Sequence, residues 1–102
     1  MPKPTNILLV RFKSRLPHDD VMKVVEERLP DFRALPGLQQ KFYLQEPETG
    51  EYAGLYLWES GEALRDFSES ELRATIAKAY QVEGTPRIEV YGVVQALRDE
   101  AP

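Results

Sequence analysis

Glu48-Thr49-Gly50-Glu51-Tyr52-Ala53-Gly54-Leu55-Tyr56-Leu57-Trp58-Glu59-Ser60 is the stretch whose reading decides the fold. From Tyr52 onward its side chains change character with a period of two, the signature of a β-strand. Tyr52, Gly54, Tyr56 and Trp58 fall on one face, Ala53, Leu55 and Leu57 on the other. Neither face is built for water. Just upstream, Leu38, Gln40, Phe42 and Leu44 alternate with Gln39, Lys41, Tyr43 and Gln45, and the turn-forming run Glu46-Pro47-Glu48-Thr49-Gly50 joins the two stretches. Together they read as a long antiparallel hairpin.

On the amino-terminal side, Asn6 to Lys13 opens almost continuously apolar, as expected of a central strand covered on both faces. Pro17 then signals a helix start. Asp19 and Asp20 place negative charge in its first turn, and Met22, Val25 and Leu29 recur at helical spacing. Pro30 is expected to end or kink this helix, with Phe32 and Leu35 extending its apolar side until Pro36-Gly37 stops it. Beyond the hairpin, Ser60 caps a helical stretch through Phe67. Ser68-Glu69-Ser70-Glu71 matches a capping box before Leu72, Ile76 and Ala79, which predicts a break near Ser68. Gly84 reads as a stop, Pro86 to Leu97 as the last strand, and Arg98 to Pro102 as a polar tail.

The order strand, helix, strand, strand, helix, strand is the ferredoxin-like βαββαβ pattern, an α+β fold with a four-stranded antiparallel sheet and, here, one domain over 1–102. Both helical regions cross the same face of such a sheet. The other face is left bare although its strands are apolar, a patch larger than monomers usually expose. A second copy of the chain is the simplest cover, so a homodimer is expected. The 102-residue length points the same way, because a chain this short buries a modest share of its surface alone.

Composition narrows the function. A net charge of −4 with interspersed signs does not suit a polyanion. The fold order invites comparison with RNA-recognition domains, but Glu51, Tyr52, Ala53 and Leu55 fail the aromatic stacking motif, so nucleic acid is rejected. The chain has no cysteine, which removes disulfides, thiolate nucleophiles and cysteine metal sites. One histidine with scattered carboxylates falls short of a metal centre. Met1-Pro2-Lys3-Pro4 lacks the apolar run of a signal peptide, and no stretch suits a membrane span, so the cytoplasm is the default location. Gly50, Gly54 and Gly61 do not form a phosphate loop.

His18 stands at a helix start beside Asp19, where it caps, titrates or faces solvent; a surface position is the first reading. Glu46, Glu48 and Glu51 crowd the hairpin turn and read as a charged turn. There remain Lys41, Tyr43, Tyr56, Trp58 and Tyr91. Aromatic side chains with polar tips suit a pocket for a flat, partly polar ligand, and suit a core or a dimer interface equally well.

Pro36-Gly37-Leu38, Lys41-Phe42-Tyr43-Leu44 and Glu48 through Ser60 closely resemble the YdhR-like monooxygenases of the dimeric α/β-barrel superfamily. The resemblance implies a dimeric barrel of two stacked sheets, with each subunit holding a pocket between sheet and helices. It also implies oxidation of a small aromatic or phenolic molecule by O₂ with no cofactor: no flavin, metal or haem. Lys41, Tyr43, Tyr56 and Trp58 would orient the ligand and stabilise developing charge, with Asn6 at the start of the first strand as a further donor. Haem-degrading relatives use an Asn, a Trp and an axial His. Asn6 and Trp58 correspond, but the second helical region has no His, which argues against haem. Two other readings stay open: a non-catalytic homodimeric protein binding the same small ligand, and a plain core in which Tyr56 and Trp58 fill space.

Overall fold

The structure, a computed structural model, describes residues 3–98, so residues 99–102 of the expected polar tail lie outside it. Its elements follow the expected order: β1 (Asn6–Ser14), α1 (His18–Arg33), β2 (Leu38–Gln45), β3 (Tyr52–Trp58), α2 (Gly61–Ser68), the short turns α3 (Glu71–Ala74) and α4 (Ile76–Ala79), and β4 (Val82–Gly92). The strands form one antiparallel sheet in the order β2-β3-β1-β4. This is the ferredoxin-like α+β arrangement. Among the described residues no helix is long and apolar enough to cross a membrane.

Register assigns the faces. Leu8 lies opposite Tyr56, Val10 opposite Gly54 and Phe12 opposite Tyr52, and β2 adds Lys41 beside Tyr56 and Tyr43 beside Gly54. This is the face the helices cover. Leu8, Val10, Phe12, Tyr56 and Trp58 meet Val21, Val25 and Phe32 of α1, Leu64 and Phe67 of α2, and Ile76 and Tyr80, none more than 8% exposed. Each large apolar side chain removed from water contributes roughly 2 kcal/mol. The opposite face carries Ile7, Leu9, Phe42, Leu44, Leu55, Leu57 and Tyr91. Among the described residues no element covers it, and Phe42, Leu44 and Tyr91 are 40%, 44% and 53% exposed.

Two local expectations need correction, and one open alternative is decided. The strict alternation of the first hairpin strand is broken by a register shift between Leu38 and Gln40. The extra residue turns Leu38 inward, opposite Trp58 and against the core, instead of leaving it on the face of Phe42. Of the alternatives at Pro30, the helix does not end there: Pro30 sits inside α1, which runs on to Arg33 with Phe32 buried, the extension expected of Phe32. The last strand begins at Val82, runs through Gly84 and stops at Gly92, before Val93 and Val94. Gln81 at φ 47° reverses the chain so that Val82 pairs at once with Ser14. Because β4 is an edge strand, Gly84 and Pro86 are accommodated in the irregular pairing between Lys13–Glu83 and Arg11–Arg87.

The expected break after α2 is present. Ser60 accepts a bond from the Ala63 amide at 3.1 Å, and Ser70, rather than Ser68, caps the next turn by accepting from the Arg73 amide at 3.1 Å. Gly37 is required where the chain enters β2: its φ is +79°, and a Cβ there would lie 2.5 Å from the Ala63 Cβ.

Candidate ligand-binding cavity

Two facts of the sheet create a hollow under α1. Gly54 contributes no side chain to the helix-covered face, and Tyr56 leans back across it: a Cβ on Gly54 would stand 2.9 Å from Tyr56 Cε1 and 3.1 Å from Lys41 Cε. Past this ring, toward the Tyr52 end of β3, the helices bridge the sheet over a cavity of about 250 Å³. Its floor is Val10, Phe12 and Gly54, and its roof is Val21, Met22, Val25 and Ile76. Lys41, Tyr43, Tyr56 and Tyr80 supply polar tips, and His18 and Tyr52 stand at the other end.

Lys41 is the electrostatic centre of this wall. Its Nζ lies 3.5 Å from the ring centroid of Phe32, 4.3 Å from that of Tyr43 and 4.5 Å from that of Tyr56. Ring faces attract an ammonium, but less than water does. Burial, reinforced by the nearby Arg28 charge, pushes the Lys41 amine down to about 7. An anion entering the cavity would restore the charge that desolvation weakens. Burial acts on the phenols in the opposite sense: it raises Tyr43 and Tyr56 and pushes Tyr80 up to about 12, so all three stay protonated donors at neutral pH.

Arg28 fastens the roof. Its guanidinium donates to the Leu72 carbonyl and to Thr75 Oγ1, each at 3.0 Å, tying α1 to the turns that carry Ile76 and lead to Tyr80.

Of the six ligand-binding residues expected from sequence, Lys41, Tyr43 and Tyr56 come together at the cavity. Trp58 stands one layer behind: it is 0% exposed, its ring lies parallel to Tyr56 at 6.1 Å and against Phe67 at 5.3 Å. Asn6 pairs with Trp58 at the far end of β1, where its Oδ1 accepts from the Thr5 hydroxyl at 2.8 Å. Tyr91 pairs with Ile7, which places it on the uncovered face, where its hydroxyl donates to Glu89. The cavity is also lined by Tyr52 and Tyr80, which the sequence does not single out, and by His18, which is exposed as expected yet stands at the cavity's edge. For Tyr52 the signal was present, since it shares the alternating face of Gly54 and Tyr56. For His18 there was none, because its partner lies 34 residues away.

The family model described as "Putative mono-oxygenase ydhR" matches residues 7–98. SnoaB, a cofactor-independent oxygenase from Streptomyces nogalater, superposes with a TM-score of 0.74 at 17% identity, covering 94% of this chain and 99% of that one. A monooxygenase from the gene ActVA-Orf6 of Streptomyces coelicolor, solved in complex with nanaomycin D, gives a TM-score of 0.71 at 20% identity, covering 95% and 94%. At these identities the likeness is one of fold. The coenzyme F420 hydrogenase subunit delta of Methanothermobacter thermautotrophicus is 28% identical over 74 residues, covering 66% of this chain and 47% of that protein. The chain thus spans about half the length of that curated relative.

Proposed function

The chain belongs to the ydhR family, whose model spans residues 7–98, and from that premise we propose that it is a cofactor-independent monooxygenase acting on a small aromatic or phenolic molecule. The observation that carries this reading is the Lys41 ammonium caged by Phe32, Tyr43 and Tyr56 at the wall of a cavity whose floor and roof are apolar. Reaction with O₂ without a flavin, metal or haem requires a substrate anion that can give up an electron in a site shielded from water. A phenolate or enolate oxygen beside Lys41, with its ring between Gly54 and α1, meets that need. A volume of about 250 Å³ lies below the range of drug-sized pockets and suits one or two fused rings.

The overall change balances without an added reductant when the reacting carbon carries two hydrogens. One oxygen atom stays on that carbon as a ketone, and the other leaves as water with both hydrogens. The expected result is stoichiometric oxygen consumption with one- and two-ring phenols or their keto tautomers, recorded with an oxygen electrode. Tight binding without oxygen uptake across such a panel would instead favour a non-catalytic ligand-binding protein.

The protein acts as a homodimer on this reading. Its support is the uncovered sheet face, with half-buried Ile7, Leu9 and Leu55 at its centre and exposed Phe42, Leu44 and Tyr91 around them. Stacking two such faces removes them from water together. Light scattering at micromolar concentration is expected to give twice the 11.7 kDa chain mass, and a mass of one chain would remove the dimer from the account.

A further inference from the structure

The cavity is polar at its two ends and apolar between them. Lys41, Tyr43 and Tyr56 mark one end, and Tyr52 with His18 marks the other. Val10, Phe12 and Gly54 beneath, and Val21, Met22 and Val25 above, offer no polar side chain to anything lying between. Lys41 pairs in register with Tyr56, and its Cε reaches back to 3.1 Å from where a Cβ on Gly54 would stand, so the ends are two to four residues apart along β3. At about 3.3 Å per residue that is roughly 7–13 Å. The ligand that fits such a wall mirrors it. An apolar span is filled without penalty by hydrocarbon, and each polar end is satisfied when the ligand brings it a hydrogen-bonding partner.

The Tyr52 hydroxyl lies 2.9 Å from His18 Nδ1, and the two rings stack at 6.0 Å with 14° between their planes. Phe12 packs against the same Tyr52 ring at 6.2 Å. The hydroxyl is thereby held in one place, and a single bond to His18 leaves part of its capacity unused. When Nδ1 accepts the Tyr52 proton, the Tyr52 oxygen still accepts from a ligand hydroxyl; when Nδ1 donates, the Tyr52 proton is free for a ligand carbonyl. Gln45, beside Tyr52 on β2, also lines this end, but its amide donates to the Gly50 carbonyl at 3.4 Å. We propose that Tyr52, positioned by His18, is a specificity-determining residue that recognises a second oxygen on the ligand, at the end away from the oxygen Lys41 holds. The ligand class is a flat aromatic with a hydroxyl or carbonyl at each end and bare hydrocarbon between. The two anchors differ in charge, so they also fix which way round the ligand lies: the anionic oxygen goes to Lys41 and the neutral one to Tyr52. The inference rests on the cavity as the ligand site of the proposed oxygenase, and it holds equally for a carrier that performs no chemistry.

The test is made without oxygen, by titrating the protein with 2,6-dihydroxynaphthalene and with 6-methyl-2-naphthol, which matches it in size and lacks the second oxygen. The quantity read is the ratio of the two affinities on one protein, so damage that weakens both compounds alike cancels. Tyr52→Phe should lower the ratio in favour of the diol about tenfold, the effect of one hydrogen bond in a dry site. His18→Ala keeps the hydroxyl but frees it to turn, and should lower the ratio about threefold. A ratio in Tyr52→Phe equal to that of wild type would overturn the proposal and leave the oxygenase reading standing. A ratio in His18→Ala equal to that of wild type would overturn the part given to His18. Failure of the wild type to bind either compound would overturn the proposal together with the cavity. A ratio that falls as expected, in a protein that consumes no oxygen with either compound once air is admitted, would sustain the role of Tyr52 and count against the oxygenase alone.

Discussion

Replacing Lys41 with methionine is expected to stabilise the fold and disable the site together. The Lys41 amine titrates near 7 in the folded protein, against about 10.4 for an unfolded lysine. Between those values the folded state binds fewer protons than the unfolded state, so stability rises with pH across the window, and the penalty is complete below pH 7. Methionine fills the space of the lysine stem as far as Cε and carries no charge, so it removes the penalty. The three ring faces around Nζ already offset part of the lost hydration, which limits the gain at pH 6 to about 2 kcal/mol. By pH 10 most of the gain should have gone, since the folded amine is then neutral and only the residual charge of the unfolded lysine is left to lose on folding. Urea melts of the two proteins at both pH values check this. Affinity for an anion ionised throughout, such as 2,4-dinitrophenolate, should fall ten- to a hundredfold, the range of one charge-assisted hydrogen bond. An unchanged affinity would remove Lys41 from the site.

The second large effect concerns Gly54. Its φ is ordinary, so the requirement for glycine there is one of space rather than of backbone conformation. A Cβ would meet Tyr56 Cε1 at 2.9 Å, and that ring has nowhere to go: it lies parallel to Trp58 and is tilted against Phe67 at 5.2 Å and Phe32 at 6.1 Å. Lys41 Cε, at 3.1 Å, blocks the other direction. Gly54→Val should cost about 3 kcal/mol by overpacking, a loss large enough to outweigh the better strand propensity of valine. It should also close the cavity floor, so the folded fraction binds 2,4-dinitrophenolate at least tenfold more weakly. Chemical denaturation and a ligand titration on the same preparation read both effects. A variant as stable as wild type would mean that Tyr56 does not lodge over Gly54.

How much of this the sequence discloses depends on how local each feature is. Alternation of Tyr52, Gly54, Tyr56 and Trp58 placed all four on one face, and Lys41 and Tyr43 joined them because hairpin register is itself local. The bulge at Gln39 was hidden, since one inserted residue leaves no mark in a short alternating run. Gly84 misled as a stop because a glycine of positive φ serves an edge-strand irregularity as well as a turn. Period two also cannot tell depth. Tyr56 and Trp58 share a face, but where α2 brings Phe67 down on the sheet decides that Trp58 is core and Tyr56 is wall. Tyr91, two residues from Glu89 on the edge strand, belongs to the other face for a reason visible only in its pairing with Ile7. His18 meets Tyr52 through the tertiary fold alone.

The most direct measurement is a crystal structure of the protein grown with a naphthol. The account predicts the fused rings between Gly54 and Val25, with the naphthol oxygen about 3 Å from Lys41 Nζ. A naphthol found only on the uncovered sheet face beside Leu55, with the space beneath α1 closed by repacked side chains, would contradict it.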